Sequence, residues 1–385
     1  MRCMKRKRTL CLLCAVFLIL SLVVTSEESE IKYVRNPSNP LYGELTLLLI
    51  EDLSIGGEED EKSSFYRGVD LAVDDTENIY ILDKGNCRVQ KYDLRGNYLR
   101  SFGRKGQGPG EFLSPTTICL LNGKLLAYDI DQSRISIFGQ QGELMGSLPL
   151  REKVYFWGPM TDNQIAAQTF SFRENDRTSD IVLFDGSGIM KKTIASYNSP
   201  MGALLHGALI GTLNGLDPRL FMRILSPQWG VFGYSDRYEL NLFDNRGEIT
   251  VVIQKDEEAR EISKHDRDKI IDSEINLWLK RKIRLQKQEV TKVYKFTKYS
   301  PFYFNIIVDD RQRIYTLKRP DDESSLNYDL FDKDGRYVFK IKISPRVSIS
   351  LIKKGHIYST YVDDQTGAIM IKRYRIDNWD KLNRE

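Results

Sequence analysis

The chain has 385 residues, 41% of them hydrophobic and 29% charged, and a formal net charge of +4. This is the make-up of a globular protein with enough apolar residues for a large core, and it excludes a disordered or fibrous chain. The first 26 residues hold five basic and no acidic residues, so the rest of the chain stands near −1 and lacks the positive field that nucleic-acid binding needs.

The N-terminus opens on Arg2, Lys5, Arg6, Lys7 and Arg8, followed by the uncharged run TLCLLCAVFLILSLVVTS and then Glu27. A basic stretch, an apolar stretch and small residues at Val24 and Ser26 predict a signal peptide over 1–26 and an exported protein, periplasmic or extracellular. An apolar run of about 17 residues is also at the lower limit for crossing a bilayer, so an uncleaved N-terminal anchor is the alternative and the only membrane contact expected. Cys11 and Cys14 lie inside the run rather than behind a small residue at its end, which argues against a lipoprotein. Of five cysteines, Cys87 and Cys119 lie beyond this segment, one in an apparent loop and one in an apparent inner strand, and two free thiols are expected.

A fourteen-residue phrase then recurs: VQKYDLRGNYLRSF at 89–102, ISIFGQQGELMGSL at 135–148, IVLFDGSGIMKKTI at 181–194, LNLFDNRGEITVVI at 240–253 and YDLFDKDGRYVFKI at 328–341. Each copy reads as a β-hairpin. An apolar run ends on an aromatic residue, a polar turn supplies Gly96, Gly142, Gly188, Gly247 or Gly335, and a second run follows. The first three glycines are 46 residues apart and the next intervals are 59 and 88, a spacing that suits four-stranded propeller blades with insertions at 195–221 and 255–300. A further strand precedes each phrase, at NIYILD, KLLAYD, QIAAQT, VFGYSD and RIYTLK, and a sixth, HIYSTY, begins at His356.

The sixth hairpin is split. AIMIKRYRID at 368–377 matches the first arm and ELTLLLIEDLSIGG at 44–57 the second. Pairing the two ends in one blade would close the ring and remove exposed sheet edges. The expectation is an all-β chain: a six-bladed β-propeller over 44–377, closed by the N-terminal strand, with a helical insertion at 255–300 between blades 4 and 5. In that insertion Ser263 and Asp266 resemble a capping box, and Ile271, Ile275, Trp278 and Leu279 form a stripe at helical spacing. Its basic residues Lys280, Arg281, Lys282, Arg284 and Lys287 read either as a solvated face or as a clamp for an anion.

The run GVDLAVDDTENIYILDKGNCRVQKYDLRGNYLRSFGRKGQGPGEFLSP at 68–115 resembles an NHL-type repeat, above all through DKGNCR followed by GQGPGEF. The chain from about 44 to 377 is similar to the bacterial six-bladed, NHL-like and TolB-like propellers. That resemblance implies the fold and says little about activity, because the shared residues belong to turns.

Long irregular segments fall in the crossings between blades, on one face of the ring, and that face is the expected binding surface. Aromatic and arginine side chains there suit a peptide, protein or carbohydrate ligand, and the candidate ligand-binding residues are Arg67, Tyr155, Trp157, Arg223, Trp278 and Tyr303. Asp83 and Asp129 end successive second strands and read as turn caps, with Ca²⁺ ligation as the alternative. His206, His265 and His356 do not recur at one blade position, as axial metal ligands would, and GxSxG, HExxH and CxxC are absent. No catalytic residue, metal or cofactor is therefore assigned. The reading is an exported, non-catalytic binding module; the alternative is a metal-dependent hydrolase or lyase with its metal at the channel mouth.

Overall fold

The structure, a computed structural model, describes residues 30–57, 64–173, 176–199, 203–205, 208–210, 216–280, 282–319 and 324–383. The signal or anchor expected over 1–26, and His206 and Arg281, lie outside them. No helix among the described residues is long and apolar enough to cross a membrane.

Six β-sheets follow one another as the blades of a six-bladed β-propeller. Blade 1 is built of Val69–Val73, Ile79–Asp83, Arg88–Tyr92 and Tyr98–Phe102, each strand antiparallel to the next. Blades 2 to 5 repeat that order, and the inner strands of successive blades touch all round the ring, blade 6 against blade 1 included. Among the middle strands, Ile79–Asp83 of blade 1 is buried along its whole length and Lys124–Asp129 of blade 2 at all but its first residue. They lie between two neighbouring blades, which is why their sequences are continuously apolar rather than alternating. Six apolar clusters fill the six seams. The aromatic residue of each repeat phrase sits there, Phe184, Phe243 and Phe331 with no exposed surface.

The five repeat glycines have φ between 73° and 84°, a region that L side chains avoid. A second constraint acts on the same atoms. A Cβ at Gly247 would meet Leu183 at 3.0 Å and Ile194 and Lys192 at 3.1 Å, and one at Gly188 would lie 1.7 Å from the carbonyl oxygen of Pro149. In both cases the contact belongs to the preceding blade, so these glycines shape a turn and let two blades approach.

The N-terminal segment does more than complete blade 6. Lys32–Asn36 adds in parallel to the outer strand of blade 4, Ile249–Lys255, and Glu44–Thr46 adds in parallel to the outer strand of blade 5, Tyr337–Ile343. Leu49–Gly56 then pairs antiparallel with Ile369–Ile376 and closes the ring. Of the stretch read as a second arm, 44–57, only the portion from Leu49 serves blade 6; the ring also draws on chain before residue 44. Asn36 fastens this belt. Its amide donates to Gln254 O (3.1 Å) and Gly335 O (2.9 Å), and its Oδ1 accepts the Tyr337 N–H (2.8 Å).

Two helices, α1 (Lys264–Lys280) and α2 (Lys287–Val293), follow blade 4's outer strand and precede Asn305–Val308 of blade 5. Ser263 and Asp266 cap α1 reciprocally: the Asp266 carboxylate accepts the Ser263 N–H at 3.1 Å, and Ser263 Oγ accepts the Asp266 N–H at 3.1 Å. Ile271, Leu285, Val290 and Tyr294 form a small core of their own. Leu279 departs from the expected stripe and is exposed, and Lys287 pairs with Asp272 (2.9 Å) and Asp268 (3.4 Å) rather than standing clear as an anion clamp. Blade 3 is taller than its neighbours, with a hairpin of Gln164–Arg173 and Asp176–Asp185, and Ala203–Leu205 pairs with Ala208–Ile210 within the 195–221 insertion.

Candidate functional site

The ends of the second strands hold the crossings in place. Asp129 accepts N–H bonds from Leu113 (2.6 Å), Ser114 (3.0 Å), Asp131 (3.1 Å) and Gln132 (2.9 Å). Asp83 accepts the Tyr66 N–H (3.0 Å) and an ion pair from Arg88 (3.1 Å). Both carboxylates therefore clamp an incoming crossing to the turn beside it, and their oxygens already face donors that a cation would have to displace. Among the described residues no group of three or more His, Cys, Asp or Glu side chains is placed to hold a metal. His265 lies in the first turn of α1, and His356 stands on the opposite face beside Asp52 (3.5 Å). Cys87 and Cys119 are free, and burial pushes both thiols above their ordinary pKa.

The channel is walled by the inner strands, and its mouth on the crossing face carries the distinctive geometry. In blade 3's inner strand, Val154–Thr161, the pairing steps from Val154↔Thr169 to Phe156↔Gln168, so a bulge falls at Tyr155. Strand alternation would place Tyr155 and Phe156 on opposite faces. The bulge instead leaves both open, 46% and 43% exposed, between buried Val154 and Trp157. A guanidinium backs Phe156 directly and Tyr155 through a second ring. Tyr155 stands edge-on to Phe170 (4.6 Å, 72°), whose ring Arg177 covers at 4.6 Å, and Arg223 lies 4.8 Å over Phe156.

Arg223 is held in place by Nη1 donating to Met222 O (2.7 Å) and Nη2 to Asn305 Oδ1 (2.9 Å). Burial pushes its pKa down to about 10, with the charge of Asp70 opposing the shift, so it stays protonated at neutral pH. Asp70 belongs to blade 1 and Arg223 to blade 4, opposite members of a six-membered ring, and no direct ion pair joins them among the described residues. Burial raises the Asp70 pKa despite the Ile118 N–H that its carboxylate accepts at 2.8 Å. An acid and a base on facing walls, below a ledge of two aromatic rings, make a polar channel with an amphipathic rim.

The six residues read from the sequence separate into two groups. Tyr155 and Arg223 meet this mouth. Arg67, exposed on the crossing into blade 1 with φ 58°, lies over the Tyr66 ring at 5.1 Å on the same face. The other three are packing residues. Trp157 is 8% exposed and packs on Tyr128 in the seam of blades 2 and 3. Trp278 belongs to the helical core and donates to Glu274 at 2.8 Å. Tyr303 is fully buried between blades 4 and 5, its hydroxyl donating to Glu239 O at 3.2 Å. Phe156, Phe170, Arg177 and Asp70 stand at the mouth and are not among the six. The bulge explains the exchange of Trp157 for Phe156, since one extra residue shifts which side chains face out.

These features define a six-bladed β-propeller with an aromatic and cationic channel mouth. Residues 67–191, from blade 1 into the outer strand of blade 3, match the DUF5128 family model, described as a 6-bladed beta-propeller. No curated protein matches the chain. Among solved structures, the chain is similar to a candidate exported protein of Bacteroides fragilis, with 11% identity over 90% of this chain and 100% of that one and a TM-score of 0.52. It is also similar to a member of the duf4221 family from Bacteroides vulgatus, with 12% identity over 89% and 99% of the two chains and a TM-score of 0.53. At such identities the likeness concerns the fold alone.

Proposed function

We propose that this protein is an exported, non-catalytic propeller that binds a peptide, a protein or a glycan at the channel mouth of its crossing face. The observation that carries the reading is the bulge at Tyr155, which holds two consecutive aromatic rings open to solvent with Arg177 and Arg223 behind them. Aromatic faces bury area with little loss of side-chain entropy, and a guanidinium adds directed donors, the combination that anchors recognition surfaces. Export is supported by the basic and apolar leader and by the candidate exported protein of similar fold. The NHL-type likeness of 68–115 rests on its turn residues and adds nothing to the choice of ligand.

The test is a glycan array and a peptide array probed with the chain lacking its leader and with the Tyr155→Ala/Phe156→Ala double variant. Both side chains are exposed, so the double variant should melt with the parent while its array ligands bind at least about tenfold more weakly. Ligands retained equally by parent and variant would remove the mouth from consideration.

A further inference from the structure

A second cavity lies at the rim, away from the channel and sharing no residue with the mouth. It occupies about 620 Å³ between blades 4 and 5, within the range of small-ligand sites. The belt segment from Ser38 to Glu44 forms its outer wall, the crossing from blade 4 to blade 5 its upper wall, and Asn327, Asp329 and Tyr337 of blade 5 its floor.

The charged groups at the floor are paired. The Asp329 carboxylate accepts Lys255 Nζ (2.8 Å) and the hydroxyls of Tyr238 and Tyr337 (both 2.6 Å), and Glu257 accepts Lys255 (2.7 Å) and Lys318 (2.6 Å). Lys255 further lies over the rings of Tyr238 (4.8 Å) and Tyr337 (4.5 Å). These pairs fix the shape of the cleft.

Around them the capacity that remains consists of donors. Ser300 is 6% exposed, and its Oγ is buried without a partner. Arg319 donates through Nη2 to Asp266 at the start of α1, while its Nη1 is buried without a partner. Asn327, 4% exposed, accepts Ser325 Oγ through Oδ1 (3.3 Å), and its amide N–H groups meet no acceptor among the described residues. Buried polar groups left unpaired are costly, and native structures keep few of them. Two of them, Ser300 Oγ and Arg319 Nη1, on residues lining one cavity, with the donating amide of Asn327 on the same lining, mark a place for an acceptor. Glu44, Glu257, Glu258 and Asp329 line the same cavity beside Lys255, Arg260, Lys318, Arg319 and Lys340, a near balance of charge that suits a singly charged ligand better than a doubly charged one.

We propose that this cleft is a binding site for a small organic carboxylate, its oxygens taking the hydrogen bonds that Ser300, Arg319 and Asn327 have to give. A uronic acid and the C-terminus of a short peptide both present that group and both suit the volume. The site stands whether or not the channel mouth binds, because the two share no side chain.

Isothermal titration of the chain lacking its leader decides it, with glucuronate, N-acetyl-dialanine, the methyl ester of each, and inorganic phosphate as probes. At least one free acid should bind, its ester at least about tenfold more weakly and phosphate not at all. Which acid binds distinguishes a sugar source from a peptide source. Asn327→Asp, which replaces two donors with a charge, should abolish binding, and Ser300→Ala should weaken it about threefold to tenfold. If Asn327→Asp fails to fold by circular dichroism, the acid-against-ester comparison and Ser300→Ala carry the decision. Acid and ester binding alike, a folded Asn327→Asp binding as the parent does, phosphate binding in place of the acids, or no acid binding at about 10 mM would each overturn the assignment.

Discussion

Replacing Asn36 by alanine should destabilise the propeller by about 3 kcal/mol, a large effect for one side chain outside the apolar seams. Asn36 is 6% exposed and joins three places: its own strand to blade 4 through Gln254 O, and that strand to the blade 5 turn through Gly335 O and the Tyr337 N–H. Alanine removes three hydrogen bonds at about 1 kcal/mol each, and the Tyr337 N–H and Gly335 C=O left behind are sheltered from water, which keeps the loss from being recovered. The assay is urea unfolding followed by circular dichroism, comparing midpoints at an unchanged slope. Arg35→Ala serves as the control, because the neighbouring side chain is exposed and its loss should change stability by less than about 0.5 kcal/mol. An Asn36→Ala effect below about 1 kcal/mol, or equal to that of Arg35→Ala, would mean that the belt does not hold blades 4 and 5 together in the way described.

Two further predictions concern contacts between neighbouring blades. Gly247→Val should cost about 1–2 kcal/mol in denaturant unfolding, from a φ of 73° and the close approach of Leu183 and Ile194; a neutral result would refute the turn geometry. Asp329→Asn should cost about 3 kcal/mol at neutral pH, because it leaves Lys255 and Lys318 beside a neutral amide. Burial alone would raise the Asp329 pKa, but Lys318 and Lys255 outweigh it and hold the carboxyl below its ordinary value. Its contribution is thus complete above the unfolded value of about 3.9 and fades as pH falls through the lower folded value. The stability gap between parent and variant should stay constant from about pH 7 to 5 and narrow below about pH 4, and a gap that widens on acidification would contradict the ion network.

Much of the fold was legible because its signals are local. The turn glycines, the aromatic residue four positions before each and the continuously apolar second strands are all set by neighbours in sequence, and they recur often enough to count blades. The split sixth hairpin was legible for the same reason, since each half keeps its own pattern. The capping box at Ser263 and Asp266 is likewise a matter of four consecutive residues.

The site was legible only in part. Tyr155 and Arg223 were within reach as an aromatic and an arginine read at the crossings between blades, whereas Trp157 and Phe156 exchanged roles through a bulge set by pairing with Gln164–Arg173, a partner strand that the residues themselves do not name. Tyr303 reads like any aromatic in a crossing, and only the packing of blade 4 on blade 5 buries it. The belt left no trace in KYVRN, because a parallel edge strand is held by backbone groups that every sequence carries. The rim cleft is a product of that belt and two blades together. Turn chemistry and strand period determined that this chain is a six-bladed propeller; which faces are covered, which rings are open and where donors stand unpaired were decided by contacts between residues up to hundreds of positions apart, which no local pattern encodes.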